Sequence, residues 1–361
     1  MLLLTTTLGL EGGVSKEVKS LGYKIVDSLT GRVLVDADYK DIPFFNINIR
    51  TAERVLYVVG TFKAQSFDEL YENIKNLDFS FMVKKPYVRV VKVRSVNSKL
   101  FSKRSIQSVS MKALVDKLKA VDGKVPYLFH IYARKDKFIV AVDTTGKDSL
   151  HMRGYRKKYS KAPLRETIAA SLLILSRYDG KFPLHDPFCG SGTIPIEAYL
   201  IARNIPPNLK RNFSSENWPQ LKEVYKIERE KAADGIKATK PEIFCSDIDE
   251  EILKVCTENM ERAGADVKVF REDFKKVKAY KDFGIIVSNP PYGVRIKSTI
   301  WKDMHILFKN FSNWNINLIS PYKNIQRFLK ISPDKTIPFL NSGVRVYFLQ
   351  FYKKQKTAKG A

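Results

Sequence analysis

Residues 185–193 read HDPFCGSGT, and what lies on either side of them decides the architecture. FPLHD (182–186) reads as a short buried strand, and TIPIEAYLIA (193–202) reads as a helix. A strand that turns through glycines into a helix is how a parallel sheet begins. Gly190 and Gly192 let the backbone approach a ligand closely, and the helix amino end presents unpaired amides that suit a carboxylate or phosphate. The loop matches neither G-x-G-x-x-G nor G-x-x-x-x-G-K-[ST], so on its own it is weak evidence, with an ordinary strand-to-helix turn as the alternative.

Downstream the rhythm repeats. EIFCSD (242–247), VKVF (267–270), GIIVS (284–288) and NINLIS (315–320) read as strands with helical stretches between most of them, which specifies a parallel sheet. GVRVYFLQFYKK (343–354) reads as a last strand and a basic tail, and the polar stretch from about 204 to 240 as an insertion near the site. Ligands of open α/β sheets sit beyond the carboxyl ends of the strands. There, Asp247 can accept both hydroxyls of a ribose and Asp273 an exocyclic adenine amine, although either could instead cap a helix. The fourth strand ends in SNPPYG (288–293), where two prolines stop it and fix Asn289 beside Tyr292.

In that order, Asp186 to Thr193, Asp247, Asp273 and Asn289 to Tyr292 resemble the motif series of class I S-adenosylmethionine methyltransferases that modify exocyclic amines. More narrowly, HMRGYRKKYSKAPLRETIAA (151–170), DPFCGSGTIPIEAYLIARNI (186–205) and SNPPYG resemble the THUMP-containing guanine methyltransferases of structural RNA. The resemblance covers nearly the whole chain. It implies a ferredoxin-like domain at 1–60, an α+β THUMP RNA-binding domain at 61–155 and a Rossmann-like catalytic domain at 156–361. It also implies S-adenosylmethionine without a metal, held by Thr167, Asp186, Cys189, Gly190, Gly192, Asp247 and Asp273, with Arg165 and Glu166 beside Thr167 near its methionine end. Asn289 and the Pro290 carbonyl would accept the two hydrogens of a guanine 2-amino group, and Tyr292 would offer a face to a base taken out of its stack.

The front of the chain reads independently as α+β. LLLTT, YKIVDS and RVLVDA are short strands around a helix with Leu10, Val14, Val18 and Leu21 on one face. PYVRVVKVRSV (86–96), a helix opening at Ser105 and the hairpin YLFHIYARKDKFIVAVD (127–143) follow. The net charge of +25 points to a polyanion, and residues 61–165 concentrate it, with 24 basic against 9 acidic side chains. Residues 84–104 hold Lys92, Arg94, Lys99, Lys103 and Arg104 with no acid, interleaved with Tyr87 and Phe101, and a second basic stretch opens with Arg153 and Arg156. A run of this kind can be a solvated face; inside a folded strand it fits phosphate binding better.

The three cysteines, Cys189, Cys245 and Cys256, form no C-x-x-C pair, which argues against a disulfide framework or zinc ribbon. These cysteines fit a reducing cytosol and no stretch is apolar enough to read as a membrane span or signal peptide, so a cytoplasmic protein is expected; a monomer is expected as well. The expected partner is structural RNA, rRNA first because SVNSKLFSKRSIQS and SENWPQ resemble the bacterial rRNA branch, and tRNA second. Two other readings compete. A DNA amino-methyltransferase would share the motifs but not the first 150 residues, and a non-catalytic RNA-binding assembly protein would not need Gly190, Gly192, Asp247 and Asn289 together.

Overall fold

The computed structural model describes residues 1–120, 126–156, 164–292 and 299–353. Lys157, Lys158 and Lys161 of the second basic stretch, and Gly293 of SNPPYG, lie outside the described residues. The chain forms two compact units that interleave in sequence. One comprises Met1–Thr5, Val18–Leu150 and Asn208–Ala232; the other comprises Thr6–Glu17, His151–Pro207 and Ala233–Ala361.

The front unit is built on β1 (Leu2–Thr5), β2 (Lys24–Leu29), β3 (Arg32–Asp36), β4 (Arg54–Lys63), β5 (Tyr87–Val96), β6 (Pro126–Arg134) and β7 (Lys137–Asp143). Its helices are the end of α1 (Glu11–Ser20), then α2 (Ile42–Asn48), α3 (Phe67–Lys75) and α4 (Lys103–Leu118). All seven strands join one sheet in the order β2-β3-β1-β4-β7-β6-β5, antiparallel except for β5 beside β6. β4 runs unbroken through residue 60, so the strands on both sides of that position share the sheet. Helix α4 starts earlier than its sequence suggests. Ser102, not Ser105, is the cap, its hydroxyl accepting from the Ser105 amide.

The catalytic sheet uses β8 (Leu184–Asp186), β9 (Ile243–Asp247), β10 (Lys268–Arg271), β11 (Ile285–Ser288), β12 (Asn315–Ser320), β13 (Lys335–Asn341) and β14 (Val344–Phe351). The order is β10-β9-β8-β11-β12-β14-β13, five parallel strands with β14 antiparallel between β12 and β13. Helices α5 (Glu166–Leu175), α6 (Thr193–Ala202), α8 (Glu250–Ala263), α9 (Thr299–Asn310) and α10 (Gln326–Leu329) belong with it, while α7 (Leu221–Asp234) falls largely in the front unit. Separate buried clusters around Leu172 and Ile194, and around Met304 and Trp314, bury the β-branched runs of β11 and β12. Each such side chain contributes roughly 1.5–3 kcal/mol relative to exposure. From β8 the chain steps outward through β9 to β10, then returns to β11 on the other side of β8. That reversal opens a crevice at the carboxyl ends of β8 and β11.

Two expectations are corrected. Residues 208–232, inside the supposed insertion near the site, fold with the front strands instead: Trp218 stacks on Tyr127 at 4.9 Å and Asn46 donates to the Tyr225 hydroxyl at 2.7 Å. A few aromatic anchors inside a polar stretch carry that docking. Conversely, residues 6–17 belong to the catalytic unit, with Leu10 in its core and the Leu340 amide donating to the Leu8 carbonyl at 3.1 Å. No helix among the described residues is long and apolar enough to cross a membrane.

Candidate active site

The loop after β8 is fastened to the end of β9. The Cys189 amide donates to the Ser246 carbonyl at 3.1 Å, and the Gly190 amide to Asp247 Oδ2 at 3.0 Å. Gly192 has φ +84°, and a Cβ there would stand 2.7 Å from Cys256 Sγ, so close packing of α6 on α8 requires glycine. Gly190, at φ +51°, faces open space. Of the two roles open to Asp247, capping goes to its neighbour: Asp249 accepts from the Glu251 and Ile252 amides at the start of α8. Asp247 instead braces the loop with one oxygen and the Asp249 amide with the other. Asp273 accepts from the Lys275 amide at 3.0 Å just beyond β10.

Asp186 is buried at the crevice, where Ser288 Oγ donates a short hydrogen bond and the Phe188 amide donates at 3.1 Å to the same oxygen. Burial pushes its carboxyl up to about 7 despite those bonds. It ties β8 to β11. One residue beyond Ser288, Asn289 Oδ1 is buried and has no hydrogen-bond partner. A bare buried acceptor costs stability and keeps its lone pairs open to a donor. Pro290 is buried and Pro291 exposed. The half-buried Tyr292 ring packs against the core, and its hydroxyl accepts from Asn341 Nδ2 at 2.6 Å.

A cleft of about 800 Å³ at these strand ends brings together Asp186, Cys189, Gly190, Asp247, Asp273 and Asn289. Gly192, Pro290, Tyr292 and Thr167 do not line it; Thr167 is buried in α5 and its carbonyl accepts from Ser171 Oγ. Phe188 and Phe274, rings 4.8 Å apart, and Ile252 were not foreseen as lining residues. Apolar residues next to a motif look like core, and no sequence signal separates the two. His185 is structural: its ring shares hydrogen bonds with Tyr280 and Ser246, and burial lowers its pKa to about 3, leaving it neutral. The three cysteines converge beneath the loop with sulfurs within 4.8 Å of one another, among Ile196, Leu200 and Met260.

The basic residues divide. Lys92, Lys99, Lys103 and Arg104 are exposed and Arg94 is half-exposed. Arg153 is not available to RNA in the folded unit. Its side chain is 1 % exposed and stands 3.4 Å from Glu197, which is fully buried and also accepts from the Tyr155 hydroxyl at 3.1 Å. Arg156 donates to the Leu164 carbonyl and to Thr193 Oγ1, and lies 3.5 Å from Glu166. Buried carboxylates on α5 and α6 need counterions, and these two arginines supply them.

Residues 153–330 match the family model described as RMKL-like, methyltransferase domain, and residues 1–56 match the RlmL ferredoxin-like domain. The chain is 34% identical to "Putative RNA methyltransferase YpsC" of Bacillus subtilis (strain 168), over 98% of this chain and 96% of that one. The chain belongs to the RMKL-like methyltransferase family. It is also 30% identical to the "Ribosomal RNA large subunit methyltransferase K/L" of Vibrio parahaemolyticus serotype O3:K6, over 81% of this chain. The aligned part is 44% of that relative, so the chain spans under half its length. A solved structure titled as SMU.472, a "putative methyltransferase complexed with SAH", superposes with a TM-score of 0.88 at 30% identity, covering 98% of each chain. The ferredoxin-like front and Rossmann-like catalytic sheet of this RMKL-like methyltransferase are those its motifs led one to expect.

Proposed function

We propose that this chain transfers a methyl group from S-adenosylmethionine to the exocyclic 2-amino group of a guanosine in structural RNA, with large-subunit rRNA the first candidate. The observation that carries this reading is the unpartnered Asn289 Oδ1, placed in the same cleft as Asp247 and Asp273. The residues fit the donor. Asp247 keeps free lone pairs for ribose hydroxyls, Asp273 stands where an adenine amine would arrive, and the open face at Gly190 leaves room for close backbone approach. When bound, the donor supplies a methyl on a sulfonium whose leaving group needs no further activation. The chain's part is to orient the acceptor: Asn289 Oδ1 and the Pro290 carbonyl take the two amine hydrogens and favour the geometry in which nitrogen attacks. Tyr292, its hydroxyl held by Asn341, lies outside the cleft lining with its ring half-buried, so the extruded base would meet it with the part of the ring that stays exposed.

RNA as substrate is supported by the front unit and by the names its relatives carry. Lys103 and Arg104 stand at the amino end of α4, whose first turn has no acid, and two cations there oppose the helix dipole. Phe101 beside them is 80 % exposed. Cations and an aromatic kept against local stability suit a phosphate backbone with unstacked bases. Nucleoside analysis of rRNA and tRNA from a strain lacking the gene tests the reading. Loss of one 2-methylguanosine from large-subunit rRNA is expected; loss from tRNA would move the substrate, and no loss from either would end the proposal. Asp247→Ala should weaken donor binding by roughly 1.5 to 3 kcal/mol and leave RNA affinity unchanged, measured by calorimetry with each ligand.

A further inference from the structure

The register of the front sheet puts a set of cations on one face. Thr5 lies opposite both Arg32 and Arg54, Leu56 opposite Asp143, Lys92 opposite His130, and Arg94 opposite Tyr132. Residues paired across strands share a face, as do residues two apart along a strand. Arg32, Arg54, Lys92 and Arg94 therefore point to one side, with Asp143, His130 and Tyr132. Arg32 on β3 and Tyr132 on β6 are four strands apart in the sheet, about 19 Å if it were flat at about 4.8 Å per strand. Yet the Arg32 guanidinium lies 4.0 Å from the centroid of the Tyr132 ring. The sheet curls on itself around Leu3, Leu34, Leu56 and Ala141, and the curl draws the four cations together.

Their charges are not balanced. Asp143, bonded to Arg54 at 2.7 Å, is the buried carboxylate among them, while Asp27, opposite Leu34, and Asp36, two residues beyond Leu34, lie on the same face at its exposed β2–β3 edge. Arg32 is 9 % exposed, and its Nε and Nη1 have no hydrogen-bond partner. Burial and the neighbouring Arg32, Arg54 and Arg94 lower the pKa of Lys92, and burial with Lys92 and Arg54 lowers that of His130 to about 3. Gathering like charges costs free energy, which the Arg54–Asp143 pair and the Arg32 contact with Tyr132 offset in part. We propose that Arg32, Lys92 and Arg94, with Arg54 held by Asp143, form a preorganised clamp for one phosphate of the RNA substrate. The clamp rests on the RNA reading above and adds two residues, Arg32 and Arg54, that lie outside the basic run of β5.

Two single variants, Arg32→Gln and Lys92→Gln, test it with two probes. Using a short rRNA fragment that carries the target guanosine, each variant should bind about tenfold more weakly, and its salt dependence should flatten by just under one unit. With inorganic phosphate and no RNA, the wild-type chain should melt at a higher temperature while both variants gain less. Lys92 keeps an exposed side chain although the curled face crowds its ammonium, so Lys92→Gln folds and, by relieving repulsion, should melt above the wild type without phosphate. Higher stability together with weaker binding is what a merely structural lysine would not give. Wild-type affinity and slope in both variants would overturn the clamp while leaving the RNA reading intact. A wild-type chain that binds no RNA would instead overturn that reading, and equal phosphate stabilisation of all three proteins would remove the clamp as well.

Discussion

The carboxyl edge of the catalytic sheet and the curled face of the front sheet both gather polar side chains, but they are assembled differently. At the catalytic edge each contributing side chain comes at or just past the end of its own strand: Asp186 at the end of β8, Asp247 at the end of β9, Asp273 beyond β10 and Asn289 beyond β11. Parallel strands bring their ends into one row, so knowing the strands places the polar groups of the cleft but not its apolar lining. On the front sheet Arg32, Arg54 and Lys92 sit within strands, and what unites them is cross-strand register and curl. The first kind of site is written along the chain and the second is written across it.

The sharpest test of that contrast uses a basic residue whose sequence suggested a surface role. Arg153→Ala should cost about 3–5 kcal/mol of stability, because it leaves Glu197 buried without its cation. Denaturant unfolding measures it; a loss below 1 kcal/mol would return Arg153 to the surface role its sequence suggested.

Acid titration probes the support beneath the catalytic edge. Asp186 has its pKa raised to about 7 in the fold against about 3.8 in the unfolded chain. Between those values the folded state holds the extra proton, so the contribution of Asp186 to stability falls as pH rises from about 4 to about 7 and is flat above. The change is on the order of a few kcal/mol, at about 1.4 kcal/mol per pKa unit. Asp186→Asn should remove that slope, and a variant with the wild-type profile would show that the carboxylate is charged in the fold.

Asn289→Ala should lower single-turnover methylation by about 100-fold or more while donor and RNA binding persist, since the acceptor matters most as the amine attacks. An equal loss in RNA affinity would make Asn289 a binding residue. The smallest effect on stability is expected on α4. Lys103→Gln with Arg104→Gln should change stability by less than about 0.5 kcal/mol, yet flatten the salt dependence of RNA binding by just under two units. If the slope is unchanged, α4 is a solvated face and the curled sheet alone meets the backbone.

Several elements were legible for local reasons. β8, β9, β10, β11, β12 and β14 announce themselves by apolar, β-branched runs bounded by turn residues, and Gly190 and Gly192 mark a connection with positive φ. β13 escaped notice because Pro338 interrupts it. As an edge strand paired on one side with β14, it tolerates a residue without an amide donor. Helix α1 showed its apolar face plainly, but nothing in that periodicity says that Leu10 packs in the catalytic core while Val18 belongs to the front unit.

By itself, then, the sequence determined what depends on neighbours along the chain: strand, turn, helix and the chemical group at each strand end, because backbone sterics and a two- or 3.6-residue period act within a few residues. It determined the family for the same reason, since the motifs are short and contiguous. The tertiary structure decided which charges are free. Arg153 and Lys103 carry the same charge in similar basic stretches, yet one neutralises Glu197 in the core and the other stands in solvent at a helix end. It also decided that Arg32 meets Tyr132 and that three thiols share one pocket of the core. Burial and long-range pairing set the electrostatic cost of a charge, and both are properties of how the units pack.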